Sequence, residues 1–189
     1  MLLVLIVLIG ALLVPLLGGR LARLEHARVR LAWVLPAALA LQVLAVNVPG
    51  VPDRLRPAAL LASYPVAGAF VAANWRLAGI PVAGLGALCN LVAILANHGT
   101  MPAAPAALAS AGLAAHPRRY ANSAAVAHPR LAFLGDIFAV PRRFPLHNVF
   151  SVGDLLLALG IVIAIHALCG SFGARRHRRP PRRRAHPAA

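Results

Sequence analysis

Acidic residues are almost absent from this chain of 189 residues, which has only four aspartates and glutamates. Charged residues of both signs make up 12% of the sequence, about half of the roughly 25% that soluble domains carry. Charged residues this scarce cannot cover a surface that faces water. An ordinary soluble globular protein is therefore excluded. Disorder is excluded for most of the chain, because 60% of its residues are apolar. The composition therefore predicts a protein that crosses the membrane several times.

Cysteine and the common catalytic motifs are also scarce or missing. The two cysteines, Cys89 and Cys169, lie in apolar runs, and their spacing fits neither a disulfide framework nor a metal site. There is no phosphate-binding glycine loop ending in lysine, no His-Glu-x-x-His motif and no Gly-x-Ser-x-Gly motif. We therefore assign no catalytic residue, and we expect neither a cofactor nor a bound metal ion.

Five apolar runs have the length of membrane-spanning helices, which need about 20 residues within a range of roughly 17–25. The first run has no basic segment ahead of it and no clear cleavage site, so we interpret it as an uncleaved helix. The sequence thus predicts an all-α polytopic membrane helix bundle, with residues 1–170 as the integral membrane domain. The predicted spans are residues 1–17, 31–48, 57–73, 77–96 and 152–170.

The long segment between the last two spans differs from the rest of the bundle. Residues 97–148 contain six prolines, and no apolar run within them is long enough to cross. Residues 106–115 are predicted to form a short interfacial helix. Residues 131–140 have the length of a re-entrant or interfacial piece. We expect this proline-rich outer segment to fold back onto the bundle.

The basic residues predict an orientation. All 19 are arginines, and seven of them lie between Arg175 and Arg184. A cytoplasmic C-terminus puts 12 arginines inside and seven outside, in agreement with the preference of basic residues for the cytoplasmic side. Trp33 and Trp75 then fall at the cytoplasmic interface, where tryptophan belts form. The prediction is an N-terminus outside and a C-terminus in the cytoplasm.

The tail after the last span, residues 171–189, is predicted to be disordered and cytoplasmic. Its arginine run from Arg175 to Arg184 is broken by prolines, and we expect it to attract anionic lipids and to fix the orientation. Nucleic acid is not favoured as a partner, because no aromatic residues interleave with the arginines. The lipid bilayer is the expected partner, and a homo-oligomer or another membrane protein stays open.

Small residues are expected to let the helices approach closely. Gly68 with Ala72, and Ala83 with Ala87, fit the small-xxx-small pattern. Alanine is so common here that the pattern indicates general bundle packing rather than a specific dimer face. Asn90 is expected to make an interhelical hydrogen bond, and His166 to be a packed or interfacial histidine.

Polar side chains near the outer interface form the candidate site, because such groups at membrane depth are costly and often functional. Two of its residues also have structural interpretations. Asp154 follows Ser151 by three positions, which is a capping-box variant at the start of the last span. His98 follows the fourth span, where it can bind the last carbonyl groups. The candidate polar site consists of Asn97, His98, Asp136, Ser151 and Asp154.

Asp136 has apolar neighbours, so we expect it to cap a short helix or to form an ion pair with Arg130, Arg142 or Arg143. A metal site made of His98, Asp136, His147 and Asp154 would have acceptable ligand types. Nothing in their spacing requires such a site.

Three strings carry a resemblance to a known family. They are Asn97-His98-Gly99-Thr100-Met101-Pro102, Leu131-Ala132-Phe133-Leu134-Gly135-Asp136 and Val149-Phe150-Ser151-Val152-Gly153-Asp154. In this order they resemble a family of bacterial multi-pass membrane proteins, domain of unknown function 5317. Its members have an Asn-x-Gly-x-Met-Pro stretch after a hydrophobic helix, then Leu-Gly-Asp and Ser-x-Gly-Asp around a proline segment. The resemblance covers residue 97 to about residue 160.

The resemblance implies no known activity, cofactor or partner. The positions that it singles out are Asn97, Gly99, Met101, Pro102, Asp136, Ser151, Gly153 and Asp154.

Three functions remain open on the sequence alone. The absence of catalytic signatures favours a non-enzymatic binding or accessory component of the cell membrane. Polar groups at the span ends, together with kink-prone prolines, fit a small oligomeric transporter or channel. A membrane enzyme that uses Asp136, Asp154 and His98 on envelope or lipid substrates is the third hypothesis. It requires those side chains to lie within roughly 10 Å of one another, since shared chemistry needs near hydrogen-bond reach.

Overall fold

The computed structural model describes residues 2–38, 40, 55–113 and 123–171, and this part of the chain is mostly helical. The helices are α1 Leu2–Leu16, α2 Leu55–Asn74, α3 Ile80–Ala96, α4 Pro105–Ser110 and α5 Val152–Cys169, with 3₁₀ turns at Leu21–His26 and Ala132–Leu134. Residues 34–38 are also helical. The strands are β1 Met101–Pro102, β2 Ser123–Ala124, β3 Phe138–Val140 and β4 Asn148–Phe150.

Helices α3 and α5 pack against each other in opposite directions. Gly86 lies against Gly153, and Gly79 lies seven residues earlier against Gly160, so small residues recur on both helices. A methyl group on Gly86 would collide with the backbone of α5 at the carbonyl oxygen of Gly153. Glycine is therefore required here because the two backbones nearly touch.

The other helices fix two ends of the bundle. We call the end where α3 stops the Asn97 end, and the end where α2 stops the Asn74 end. Helix α1 runs in the same direction as α5, because Gly10 lies against Val162 and the Arg20 N–H donates to the Cys169 carbonyl over 3.0 Å.

Helix α2 also runs toward the Asn74 end. Leu60, near its start, packs with Ile94 close to the Asn97 end. Phe70, near its finish, packs with Ile80 at the start of α3. Helices α1, α2 and α5 therefore share one direction, and α3 has the opposite one.

A small cap covers the Asn97 end. It consists of α4 and the four strands, in which β1 pairs with β2 in parallel and β3 pairs with β4 in antiparallel fashion. Its own apolar core is formed by Ala103, Ala107, Leu108, Ala111, Leu113 and Val149. The cap occupies the segment predicted to be proline-rich and folded back.

The all-α prediction is confirmed only in part, because the described residues are mostly helical and the cap adds short strands that an all-α bundle would lack. Within the described residues, one helix, Val152–Cys169, is long and apolar enough to cross a membrane. Three apolar helices are shorter: Leu3–Leu16, Leu60–Asn74 and Ile80–Ala96. Helix length therefore does not support the five-span bundle by itself.

Two predictions concern segments that the structure covers only in part. The second span, residues 31–48, is described over residues 31–38 and at residue 40. The arginine tail from Arg175 to Arg184 lies outside the described residues.

Two shorter segments were predicted within the proline-rich region. The short helix predicted over residues 106–115 is present as α4, which ends at Ser110. Residues 131–140 form a 3₁₀ turn followed by β3.

Candidate functional site

A hydrogen-bonded triad of side chains joins α3 to the start of α5. The Asn90 amide donates to the Asp154 carboxylate over 2.8 Å. The Ser151 hydroxyl donates to the Asn90 carbonyl oxygen, also over 2.8 Å. Asn90 thus uses both ends of its amide across the helix pair, which confirms the interhelical hydrogen bond predicted for it.

The capping box predicted at Ser151 and Asp154 is confirmed. The Asp154 N–H donates to the Ser151 hydroxyl over 3.0 Å, and the Ser151 N–H donates to the Asp154 carboxylate over 3.1 Å. Both Asp154 oxygens therefore accept hydrogen bonds, one from the Ser151 N–H and one from the Asn90 amide. A carboxylate at this position also faces the positive end of the α5 dipole.

Asp136 is buried in the cap, with 4% of its surface exposed. Its main chain pairs with β1, because its N–H donates to the Pro102 carbonyl over 2.8 Å and its carbonyl accepts from the Ala104 N–H over 3.1 Å. Its carboxylate accepts a short hydrogen bond from the Ser123 hydroxyl. Within the described residues it neither forms an ion pair with an arginine nor occupies the N-cap position of a helix, the two roles predicted for it, and its carboxylate is held by a serine instead.

The environment of Asp136 favours its neutral form. Burial raises the pKa of Asp136 from its ordinary 3.8 to about 6. The Ser123 hydrogen bond lowers this pKa, whereas the charge of Asp154 raises it further. The two acids are thus close enough to interact electrostatically, although each has its own hydrogen-bond partners.

Asn97 ends α3 and ties it to the cap. Its amide donates to the Ala93 carbonyl and to the Arg130 carbonyl, each over 2.8 Å, and its oxygen accepts from the Arg130 N–H over 2.9 Å. These three hydrogen bonds of the buried side chain all go to backbone groups. We call this arrangement the Asn97 clamp.

His98 does not join these networks within the described residues. Its side chain is exposed and its backbone is left-handed, with φ 56°. The helix end is closed by main-chain groups, since the Gly99 N–H donates to the Ile94 carbonyl over 2.9 Å. The helix-terminal position of His98 is as predicted, but its backbone rather than its imidazole meets the last turn.

The structure therefore divides the predicted site into three neighbouring polar groups. Ser151 and Asp154 come together, Asp136 sits with Ser123, and Asn97 binds backbone. The sequence did not predict Ser123 as a partner of Asp136. The two residues are 13 positions apart, and their contact depends on a short parallel strand pair. Among the described residues, no three His, Cys, Asp or Glu side chains are placed to hold a metal ion.

Polar contacts also close the other end of α5. The predicted packing of His166 is confirmed, because it is buried and its Nδ1 lies 2.9 Å from the Ser171 hydroxyl. The Arg23 guanidinium donates to the Cys169 carbonyl over 3.4 Å. A cation at a helix C-terminus complements the negative end of the dipole.

Comparison with known proteins gives one match. A family model described as a family of unknown function (DUF5317) matches residues 26–166. This region is far wider than the three motifs identified from the sequence. It includes α2, α3 and most of α5, whereas α1 lies outside it. No curated protein and no solved structure matches the chain.

Proposed function

This chain belongs to a family of unknown function (DUF5317), and we propose that it is a multi-pass integral membrane protein that serves as a non-enzymatic binding or accessory component of the cell membrane. One observation carries the proposal: large aliphatic side chains face outward while polar side chains are buried. Leu16 and Leu12 are 80% and 71% exposed, whereas Ser63 and Asn97 are 0% and 6% exposed. Soluble monomers rarely expose large apolar surfaces.

The exposed side chains occur on several helices. They include Leu5, Leu8, Leu12 and Leu16 on α1, Leu85, Leu88 and Leu95 on α3, and Leu155 and Leu159 on α5. Hydrocarbon is the environment in which such a surface carries no cost. Polar groups there are expected to face the bundle interior and to pair with one another or with backbone, as Asn90 and Asn97 do.

Helix directions support a fifth crossing. Helix α1 finishes at the Asn74 end and α2 begins at the Asn97 end, so the chain has to pass between the two ends once more between residues 16 and 55. The predicted second span, residues 31–48, lies in that interval. We propose five crossings, with the Asn97 end outside and the Asn74 end in the cytoplasm.

The helix lengths suit a thin hydrocarbon layer. The 17 residues of α3 and the 18 residues of α5 correspond to about 25–27 Å at roughly 1.5 Å per residue. A typical hydrocarbon core is about 30 Å thick, and local thinning accommodates a short span at a modest cost.

A non-enzymatic role is supported by how the acids are used. Asp154 closes a helix cap and an interhelical bond. Asp136 accepts from Ser123 and is nearly inaccessible. Neither carboxylate contacts a nucleophile and base arranged as a catalytic pair within the described residues. The hydrogen bonds of Asp154 join the start of α5 to α3, and those of Asp136 stay within the cap.

A lipid-soluble carbene photolabel tests the membrane assignment. With the labelled positions located to single residues, Leu12, Leu16 and Leu95 should be labelled in native membranes after an alkaline wash, whereas Leu60 and Ile94 should be protected because they are buried. Release of the protein by the wash, or equal labelling of both groups, would contradict the proposal.

A second experiment tests the non-enzymatic role. Asp136→Asn and Asp154→Asn should alter the stability or the assembly of the helix bundle, and neither should abolish an enzymatic activity. A measurable reaction that is lost in both variants while the helix bundle stays intact would overturn this part of the proposal.

A further inference from the structure

One five-residue turn occurs twice in the protein, once at each end of the bundle. The first copy runs from Arg30 to Val34 with the sequence Arg-Leu-Ala-Trp-Val, and the second runs from Arg130 to Leu134 with the sequence Arg-Leu-Ala-Phe-Leu. In both, the leucine has a left-handed backbone, with φ 54° at Leu31 and 51° at Leu131. Non-glycine residues adopt this conformation rarely, so its occurrence at matched positions is informative.

The two turns are closed by the same hydrogen bond. The Val34 N–H donates to the Leu31 carbonyl, and the Leu134 N–H donates to the Leu131 carbonyl, each over 2.9 Å. The fifth residue of each copy then enters a core cluster. Val34 packs with Phe70, and Leu134 packs with the cluster that contains Ala93.

A helix-terminal asparagine grips each turn in the same way. The Asn74 amide donates to the Arg30 carbonyl over 2.8 Å and to the Phe70 carbonyl over 2.9 Å, and its oxygen accepts from the Arg30 N–H over 2.9 Å. We call this the Asn74 clamp. It repeats the Asn97 clamp bond for bond, with the second donation again going to the residue four positions earlier in the helix.

Each clamped turn presents an aromatic side chain outward. Trp33 is 68% exposed and Phe133 is 64% exposed, although both are next to a residue that is anchored in a core cluster. An exposed aromatic ring on a rigid turn has no role in packing the interior.

A second aromatic side chain lies near each end. Trp75 directly follows the Asn74 clamp, and the Arg76 guanidinium lies 5.3 Å from its ring centroid. In the cap, the Arg143 guanidinium lies 5.0 Å from the ring centroid of Phe144. Aromatic rings paired with arginine match a region where hydrocarbon meets phosphate, because the ring takes the apolar side and the guanidinium the anionic side.

We propose that Trp33 and Phe133 are matched anchors in the headgroup region of the two opposite leaflets, and that the Asn74 and Asn97 clamps hold them there. The inference rests on the proposed membrane function and adds the depth at which the bundle sits. Two rigid anchors on helices of about 25 Å would set that depth at both surfaces together.

Single-indole variants in lipid vesicles test the position of the anchors. The chain has two tryptophans, so Trp75→Phe leaves only Trp33, and a triple variant of Trp33→Phe, Trp75→Phe and Phe133→Trp moves the indole to the cap. Nitroxide lipids with the spin label near the headgroup or near the chain end then report its depth. Both indoles should be quenched more strongly by the shallow label.

The matched control is Leu88→Trp in the background without native tryptophan, because Leu88 is exposed near the middle of α3. Its indole should be quenched more strongly by the deep label. If it is quenched by neither label, the membrane function itself fails. If it is deep while either anchor position is not shallow, the anchor proposal alone is overturned.

The clamps are tested by removing one at a time. In the F133W triple variant, Asn97→Ala should lower the anisotropy of the indole and weaken its preference for shallow quenching. In the W75F variant, the same substitution should leave Trp33 unchanged at the other end. Asn74→Ala should do the reverse. If the anisotropy and the quenching of the nearby indole are unchanged in both alanine variants, the asparagines do not position the anchors and the proposal is overturned.

The near-isosteric substitutions Asn74→Asp and Asn97→Asp test the amide donations themselves. An aspartate keeps the oxygen that accepts from the arginine N–H, but it places a carboxylate oxygen against the two carbonyl groups that accept from the amide. It should therefore loosen the local indole at least as much as alanine does, and leave the indole at the opposite end unchanged. Loss of shallow quenching at both ends when one asparagine is changed would indicate a purely structural asparagine and would contradict the proposal.

Discussion

Gly86 and Gly153 meet where α3 crosses α5, and a methyl group on Gly153 would lie 2.7 Å from the Gly86 carbonyl oxygen. The same pairing recurs between Gly79 and Gly160. Close backbone approach through small residues is how helices associate in lipid, where burial of apolar surface gives little driving force. The helix pair that supports the polar triad therefore depends on the absence of side chains.

Gly86→Ala should destabilise the bundle by about 1–3 kcal/mol, because the added methyl group forces the two backbones apart. Unfolding of the purified protein in mixed micelles measures the change. Gly68→Ala is the matched control, since nothing lies within 4 Å of the added atom, and it should be neutral or slightly stabilising. Equal losses in both variants would contradict the close contact.

Asn90→Ala should cost about 1–3 kcal/mol, because it leaves the Ser151 hydroxyl and one Asp154 oxygen without their partner. Ser151→Ala removes the helix cap as well, at about 1 kcal/mol for the cap alone. A double-mutant cycle should show that the two losses do not add. Simple additivity would mean that the hydrogen bond between Asn90 and Ser151 contributes nothing.

Stability should fall as pH rises from about 4 to 7. Asp136 has a pKa of about 6 in the folded protein and 3.8 ordinarily, so in this window the folded state holds a proton that the unfolded state releases. The stabilisation is complete below the lower value and is lost above the higher one, and it amounts to about 2–3 kcal/mol. Asp136→Asn should remove this part of the pH dependence, as seen by comparing the free energy of unfolding at about pH 4 and about pH 7.

Ser123→Ala should move the titration of Asp136 further upward, because the serine hydrogen bond lowers the pKa of this carboxyl. The carbonyl infrared band of the protonated acid, assigned by its loss in Asp136→Asn, follows the midpoint. A midpoint that stays in place or moves down would show that the hydroxyl does not support the charged carboxylate.

The sequence predicted those contacts of the site that join residues close to one another along the chain. Ser151 and Asp154 are three residues apart, so their capping box could be recognised from spacing alone. The interhelical role of Asn90 followed from the cost of an amide among apolar residues. Its partner did not, because the register between α3 and α5 depends on glycines that are more than 60 residues apart.

The clamps and the strands could not be predicted from the sequence for a related reason. Leu31 and Leu131 adopt left-handed backbone conformations that leucine does not favour, and a distant asparagine holds each turn. The strands of the cap are two or three residues long, too short for an alternating pattern. Asp136 was expected to cap a short helix or to pair with an arginine, whereas the fold gives its carboxylate a serine partner.

The most direct test of the account is whether the two ends of the bundle lie on opposite sides of the membrane. In a chain with Cys89 and Cys169 replaced by alanine, R28C marks the Asn74 end and H128C marks the Asn97 end, both at exposed positions. A membrane-impermeant maleimide should label H128C in intact cells and R28C only after permeabilisation. Labelling of both positions from one side, or recovery of both variants in the soluble fraction, would contradict the account.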